Sequence, residues 1–164
     1  MVQRRSGRRS RVAATSRKFV WARQEINQIV NGESSAAINL FGNFETEYGA
    51  QLLGSTVMRV RGMLELEPVA AVTGFAAAGI RVDLDGQAGN GPLTSKHLDW
   101  MAYFPLAFNP VDETAGRLAR VDVDVKAARR VEELGEALHL VVQNPFVATA
   151  ANFRGLISVG IKLP

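Results

Sequence analysis

The 164-residue chain contains no cysteine. Disulfides and thiolate metal sites are thereby excluded, and with them the small secreted scaffolds that depend on crosslinks. No apolar run approaches the roughly 20 residues that a membrane-spanning helix needs. Histidine is scarce: His97 and His139 are the only two. They show none of the short ligand spacings of a zinc site, so a metal held between them and Asp99, Asp122 or Asp124 is not expected. No nucleophile elbow, phosphate loop or dinucleotide fingerprint occurs. The cluster GQAGNGP at 86–92 is glycine-rich, but no helix opening with Lys-Ser or Lys-Thr follows it, and it reads as a surface loop. Glu132, Glu133 and Glu136, like Asp122 and Asp124, belong to no acid–base or calcium motif and read as solvated faces. No catalytic residue and no cofactor is expected, and the chain is not expected to be an enzyme.

One further absence is local. The first 23 residues, MVQRRSGRRSRVAATSRKFVWAR, contain no carboxylate but eight basic side chains: Arg4, Arg5, Arg8, Arg9, Arg11, Arg17, Lys18 and Arg23. The whole chain has 19 basic and 16 acidic residues, so the remainder has 11 and 16, a net charge of −5. A basic arm is joined to a mildly acidic body. Arginine outnumbers lysine 15 to 4. Its rigid fork of donors suits phosphate, although a GC-rich genome would produce the same bias. The eight basic residues are therefore the candidate nucleic-acid-binding set.

Targeting signals fit the arm less well. A secretory or twin-arginine signal needs an apolar stretch, and only Val12, Ala13 and Ala14 precede Arg17. A mitochondrial presequence matches the Arg- and Ser-rich composition, but residues 3–11 lack the large apolar residues of an amphipathic helix. A nuclear-localisation patch is compatible with the arginines and with nucleic-acid binding alike. Residues 1–17 are expected to be disordered, because like charges repel and nothing apolar can be buried.

From Lys18 onward the dominant period is two. In MRVRGMLELE, Met58, Val60, Gly62, Leu64 and Leu66 share a face opposite Arg59, Arg61, Glu65 and Glu67. Ile80, Val82 and Leu84 alternate with Arg81, Asp83 and Asp85. Trp100, Ala102, Phe104, Leu106 and Phe108 form another apolar phase, as do Leu138, Leu140 and Val142. The last is Phe153, Gly155, Ile157, Val159 and Ile161. His139 points away from its apolar neighbours and reads as exposed or hydrogen-bonded. Weaker strands at 18–30, 36–44 and 119–131 bring the number to about eight. Pro105 marks its strand as an edge or a bulge. Residues 45–53 suit a short helix. Residues 124–134 suit either a helix or a strand turning near Gly135, and the alternation of Val121, Val123 and Val125 favours the strand. Asn31-Gly32, Gly54-Ser55, Asn109-Pro110 and Asn144-Pro145 are turn signals.

Eight short antiparallel strands imply an all-β fold with one core. An immunoglobulin-like domain is the rival, lacking here its cysteine pair. The expected architecture is a single jelly-roll-like β-sandwich at 18–164 behind the disordered arm at 1–17. Phe19 and Trp21, beside Lys18 and Arg23, are further candidates for base stacking.

A basic arm, RRSGRRSRVAATSRK, ahead of an eight-stranded body without a catalytic centre resembles the coat proteins of small icosahedral viruses, of the single jelly-roll type. That resemblance implies self-assembly into a closed shell, location in the virion and non-specific binding of packaged nucleic acid by the arm. The alternatives are a stand-alone nucleic-acid-binding protein, of ribosomal or single-strand-binding type, and a phage decoration or tail component.

Overall fold

The computed structural model describes residues 18–48, 52–70, 72, 74–84, 100–108, 119–133 and 135–164. Eight strands and one helix follow each other as β1 (Phe19–Val30), β2 (Ser34–Asn39), α1 (Gly42–Tyr48), β3 (Thr56–Pro68), β4 (Gly74–Leu84), β5 (Trp100–Phe108), β6 (Ala119–Arg130), β7 (Glu136–Asn144) and β8 (Ala151–Lys162). They form two four-stranded antiparallel sheets, ordered β1-β8-β3-β6 and β2-β7-β4-β5. The pairing is nested. The first strand pairs with the last, β2 with β7, β3 with β6 and β4 with β5. The chain is thus one long hairpin, rolled up by the additional ladders of β3 with β8 and β4 with β7. That topology is a jelly roll. The edge strands meet their counterparts across the sandwich, β1 beside β2 and β6 beside β5.

The core lies between the sheets and follows the expected alternation. Val60, Leu64, Leu66, Ile80, Leu138, Leu140, Val142, Phe153, Ile157 and Ile161 are fully buried, and Ala102 and Phe104 pack against them. Truncating Leu64, Val82, Leu140 or Ile157 to alanine should therefore cost about 2–5 kcal/mol each, read from the midpoint of denaturant unfolding. Edge strand β5 carries Pro105, where a missing amide donor is tolerated. Residues 119–130 are strand, as the valine alternation indicates. Asn144 does more than mark a turn. It is buried, donates to the carbonyls of Val30 (3.0 Å) and Thr149 (2.7 Å), and accepts from the Phe146 amide (3.1 Å).

Several expectations are corrected. Met58 is turned outward and Val57 is buried, because a bulge between Val57 and Arg59 shifts the phase of β3 by one residue. The strand expected at 36–44 ends at Asn39, and the helix expected at 45–53 begins earlier, at Gly42, with 49–51 outside the described residues. Asn39 explains the early start: its side chain accepts from the Phe41 amide (2.7 Å) just ahead of the helix. Phe41 and Phe44 then pack edge to face, 6.3 Å apart, inside the core. Arg81 and His139 are also buried, at 5% and 3% exposure. The β2-β7-β4-β5 sheet is covered on both faces, since Ala77 and Val141 on the same side as Arg81 and His139 are buried too. Of the sequence features, His97, the 86–92 cluster and Asn109-Pro110 lie outside the described residues.

Candidate nucleic-acid interface

Of the eight basic residues, Arg4, Arg5, Arg8, Arg9, Arg11 and Arg17 lie outside the described residues, and Lys18 and Arg23 lie within them. Lys18 is exposed at the entrance to β1, and its carbonyl accepts from the Leu163 amide (2.9 Å). Its ammonium stands 5.5 Å from the centre of the Tyr48 ring, a cation–π distance. Arg23 is exposed two turns of the pleat further on, on the outer face of β1. The carbonyl of Arg23 accepts from Asn43 (2.6 Å) at the start of α1.

Alternation places Phe19, Trp21 and Arg23 on that outer face, with Val20 turned inward. Phe19 and Trp21 remain 47% and 41% exposed. Their rings meet edge to face at 5.5 Å. The strand register explains what they rest on. Trp21 is opposite Gly160 of β8, and Arg23 is opposite Ser158. A Cβ on Gly160 would lie 2.9 Å from Phe19 and 3.1 Å from Trp21, so glycine is what lets both rings approach β8 this closely. Ser158 is also opposite Arg61 of β3. β1 and β3 are two strand spacings apart, about 9–10 Å. With only glycine and serine on the strand between, Arg61 reaches across, and its guanidinium sits 4.4 Å from the centre of the Trp21 ring.

Electrostatics decide why Arg61 goes there. Its direct cross-strand partner is Asp124. That carboxylate is already held by both branches of Arg59, at 2.7 and 2.6 Å. The hydrogen bond from Arg59, opposed by partial desolvation and aided by its charge, holds the Asp124 carboxyl below the usual aspartate range. The same hydrogen bond raises Arg59 above its ordinary value. Because the folded-state pKa of Asp124 is lowered, the pair contributes stability above the ordinary aspartate pKa. That contribution is lost as pH falls through the lowered value. The other ion pairs among the described residues join Arg120 to Asp122, Arg129 to Glu136 and Arg154 to Glu67. Arg23 and Arg61 take part in none of these pairs. Together with Gly62, Met63, Val123, Leu156, Ser158 and the Arg59-bound carboxylate of Asp124 they line a shallow depression of about 620 Å³ on the outer face of the β1-β8-β3-β6 sheet.

Arg61, Ser158 and Gly160 were not among the residues that the sequence singled out for binding. The only signal for them is indirect: an exposed-phase tryptophan needs small residues beside it, and the last strand carries Ser158 and Gly160 in alternation with apolar residues. Among the described residues no group of three or more His, Asp or Glu side chains could hold a metal ion. No described helix is long and apolar enough to cross a membrane.

No protein-family model matches the chain, and no curated protein matches it in sequence. Solved structures similar to it include the tobacco streak virus coat protein dimer, at 12% identity and a TM-score of 0.43, covering 89% of this chain and 85% of that one. Infectious bursal disease virus is similar at 13% identity and a TM-score of 0.41, over 90% of this chain. An arabinose-bound α-L-arabinofuranosidase is similar at 9% identity and a TM-score of 0.46, over 85% of this chain. This chain spans 33% of the bursal disease virus chain and 23% of the arabinofuranosidase. Viral proteins and an enzyme both occur among the matches.

Proposed function

We propose that the chain is a structural coat protein whose jelly roll, residues 18–164, tiles a closed shell, and whose arm, residues 1–17, binds packaged nucleic acid. The observation that carries this is the charge split: eight basic residues and no acid in the first 23, against −5 in the remainder. The arm leads into β1 at Lys18, beside the exposed aromatic and arginine side chains of that strand. Arg4, Arg5, Arg8, Arg9, Arg11 and Arg17, with Lys18 and Arg23, neutralise phosphates and release condensed counterions. Such contacts carry no sequence information, as general packaging requires. An acidic body keeps the polyanion on the arm's side. Closed symmetry multiplies a modest charge per chain into enough to hold a genome.

Self-association has a surface to use. Ile29, Val69 and Val147 are 65%, 72% and 71% exposed at the end of the sandwich where β1 and β3 finish and β8 begins. Exposed aliphatic groups gathered at one end suit contact with a neighbouring subunit.

Purified protein at physiological salt, with nucleic acid present, should run as large uniform particles whose nucleic acid resists nuclease. A chain that stays monomeric under those conditions overturns the shell. The stand-alone nucleic-acid-binding protein then takes its place, for which Phe19 and Trp21 beside Lys18 and Arg23 would also serve. Assembly on a preformed particle without nucleic acid would identify a decoration or tail component instead.

A further inference from the structure

We infer that Trp21 and Arg61 form a stacking site for an unpaired base of single-stranded nucleic acid, with Arg23 and Ser158 placed to meet its phosphate and sugar. The inference rests on the nucleic-acid reading above and gives it a location on the folded body. An indole ring left 41% exposed on a sheet face, with a guanidinium 4.4 Å from its centre, combines an aromatic surface with positive charge. Bases stack both on aromatic rings and on arginine planes. Arg61 is held over Trp21 because Arg59 occupies Asp124, so the plane is set before any ligand arrives. Gly160 keeps the floor flat, and Ser158 leaves a gap in which Arg23 and Arg61 face each other across β8. The depression between them is shallow and open to solvent, and the one carboxylate on its wall, Asp124, is already held by Arg59.

Charge and connectivity select the occupant. The described ion pairs include neither Arg23 nor Arg61, which line one depression together, while the carboxylate beside them, Asp124, is held by Arg59. The segment that joins this face at Lys18 carries six further arginines and no acid. A polyanion bound by that segment is therefore delivered to the Trp21 face by chain connectivity alone. An apolar protein partner would meet two arginines there, and a duplex would offer no unpaired base to stack. Single-stranded nucleic acid matches both the ring and the charge.

The test is binding of the full-length chain to labelled oligo(U), oligo(dT) and duplex probes of about 10 nucleotides, within the usual span of single-strand sites. Single strands should quench the fluorescence of Trp21, and Trp21→Phe should remove the quenching while keeping most of the affinity. Trp21→Ala should lower single-strand affinity about tenfold, as loss of one stacked base does, and leave duplex affinity and the salt dependence unchanged. Arg61→Gln should lower single-strand affinity as well. A stronger response with one of the two single strands identifies RNA or DNA as the natural ligand. If Trp21→Ala keeps its melting temperature and binds single strands as the parent does, or loses duplex and single strand equally, the stacking site is overturned. Arm-dependent binding would still stand in that case. If the parent chain binds none of the probes, the nucleic-acid reading itself fails.

Discussion

Gly155→Val should leave almost no folded protein, although valine is among the best strand formers and glycine among the worst. The expectation comes from how β3 and β8 meet in the middle of their sheet. A Cβ on Gly155 would clash with the carbonyl oxygen of Met63 and lie 3.1 Å from the Met63 carbonyl carbon and 3.2 Å from the Leu64 Cα. A Cβ on Gly62 would clash in turn with the Leu156 carbonyl oxygen, and lie 2.9 Å from the Ile157 Cα. The two glycines sit nearly opposite one another, Gly62 facing Ile157 and Gly155 facing Leu64. All the atoms encountered are backbone, so no side chain can rotate away. Relief requires the central ladder to separate, which unpairs β8 from β3 and disturbs β1 and β6 on either side. Substitutions of this kind belong to the severe class, above about 4 kcal/mol. Gly42→Ala is the control, because nothing lies within 4 Å of its Cβ position at the start of α1. Calorimetric melting should show a normal transition for Gly42→Ala and none for Gly155→Val. A folded valine variant would show that the sheet accommodates the side chain and that the close approach is not a constraint.

Changing Arg4, Arg5, Arg8, Arg9 and Arg11 together to serine should empty the particles or prevent their assembly, with the body still folded. Each phosphate neutralised on a single strand adds about 0.7 to the exponent with which binding falls as salt rises, so five arginines supply about 3.5. Over a fourfold rise in salt that exponent amounts to about 10² in the binding constant. The variant should release nucleic acid at much lower salt than the parent, and its plot of log affinity against log salt should be shallower by about that exponent. Its β-rich circular dichroism spectrum and cooperative melt should be retained, because the core lies among residues from Val20 onward. Particles that keep their full nucleic-acid content at physiological salt would move the packaging role from the arm to the body.

Much of the body was legible because one periodicity carries both local structure and burial. The valines of β6, the leucines of β7 and the alternation in β8 give strand and core face together. What escaped the pattern has physical causes of three kinds. A bulge inserts one residue without a residue-type signature, so Met58 read as core and is exposed. A local pattern reports which residues differ from their neighbours and not what covers a sheet from outside, so Arg81 read as outward-facing and His139 as exposed or hydrogen-bonded, and both are buried. Contacts across a strand depend on register, so the line from Trp21 over Gly160 and Ser158 to Arg61 joins residues that no sequence window contains together. The candidate arm was the easiest feature to see, being pure composition. The line from Trp21 to Arg61 was the hardest, being pure geometry.

The nesting of first strand with last also sets the order of events during synthesis. β8 is the seat between β1 and β3, and Phe19 at one end of β1 lies opposite Lys162 at the end of β8. During translation β1 and β3 therefore wait without their shared neighbour until β8 has emerged. Only the innermost hairpin, β4 with β5, can zip early. The ladders outside it close ever longer loops, so their entropy cost precedes the contacts that offset it. Folding of this body should be of high contact order and gated by the twelve residues of β8. While β8 is missing, the unpaired edges of β1 and β3 can accept a strand from a second copy. The shape of the roll thus places folding and association in competition until β8 has taken its seat between β1 and β3.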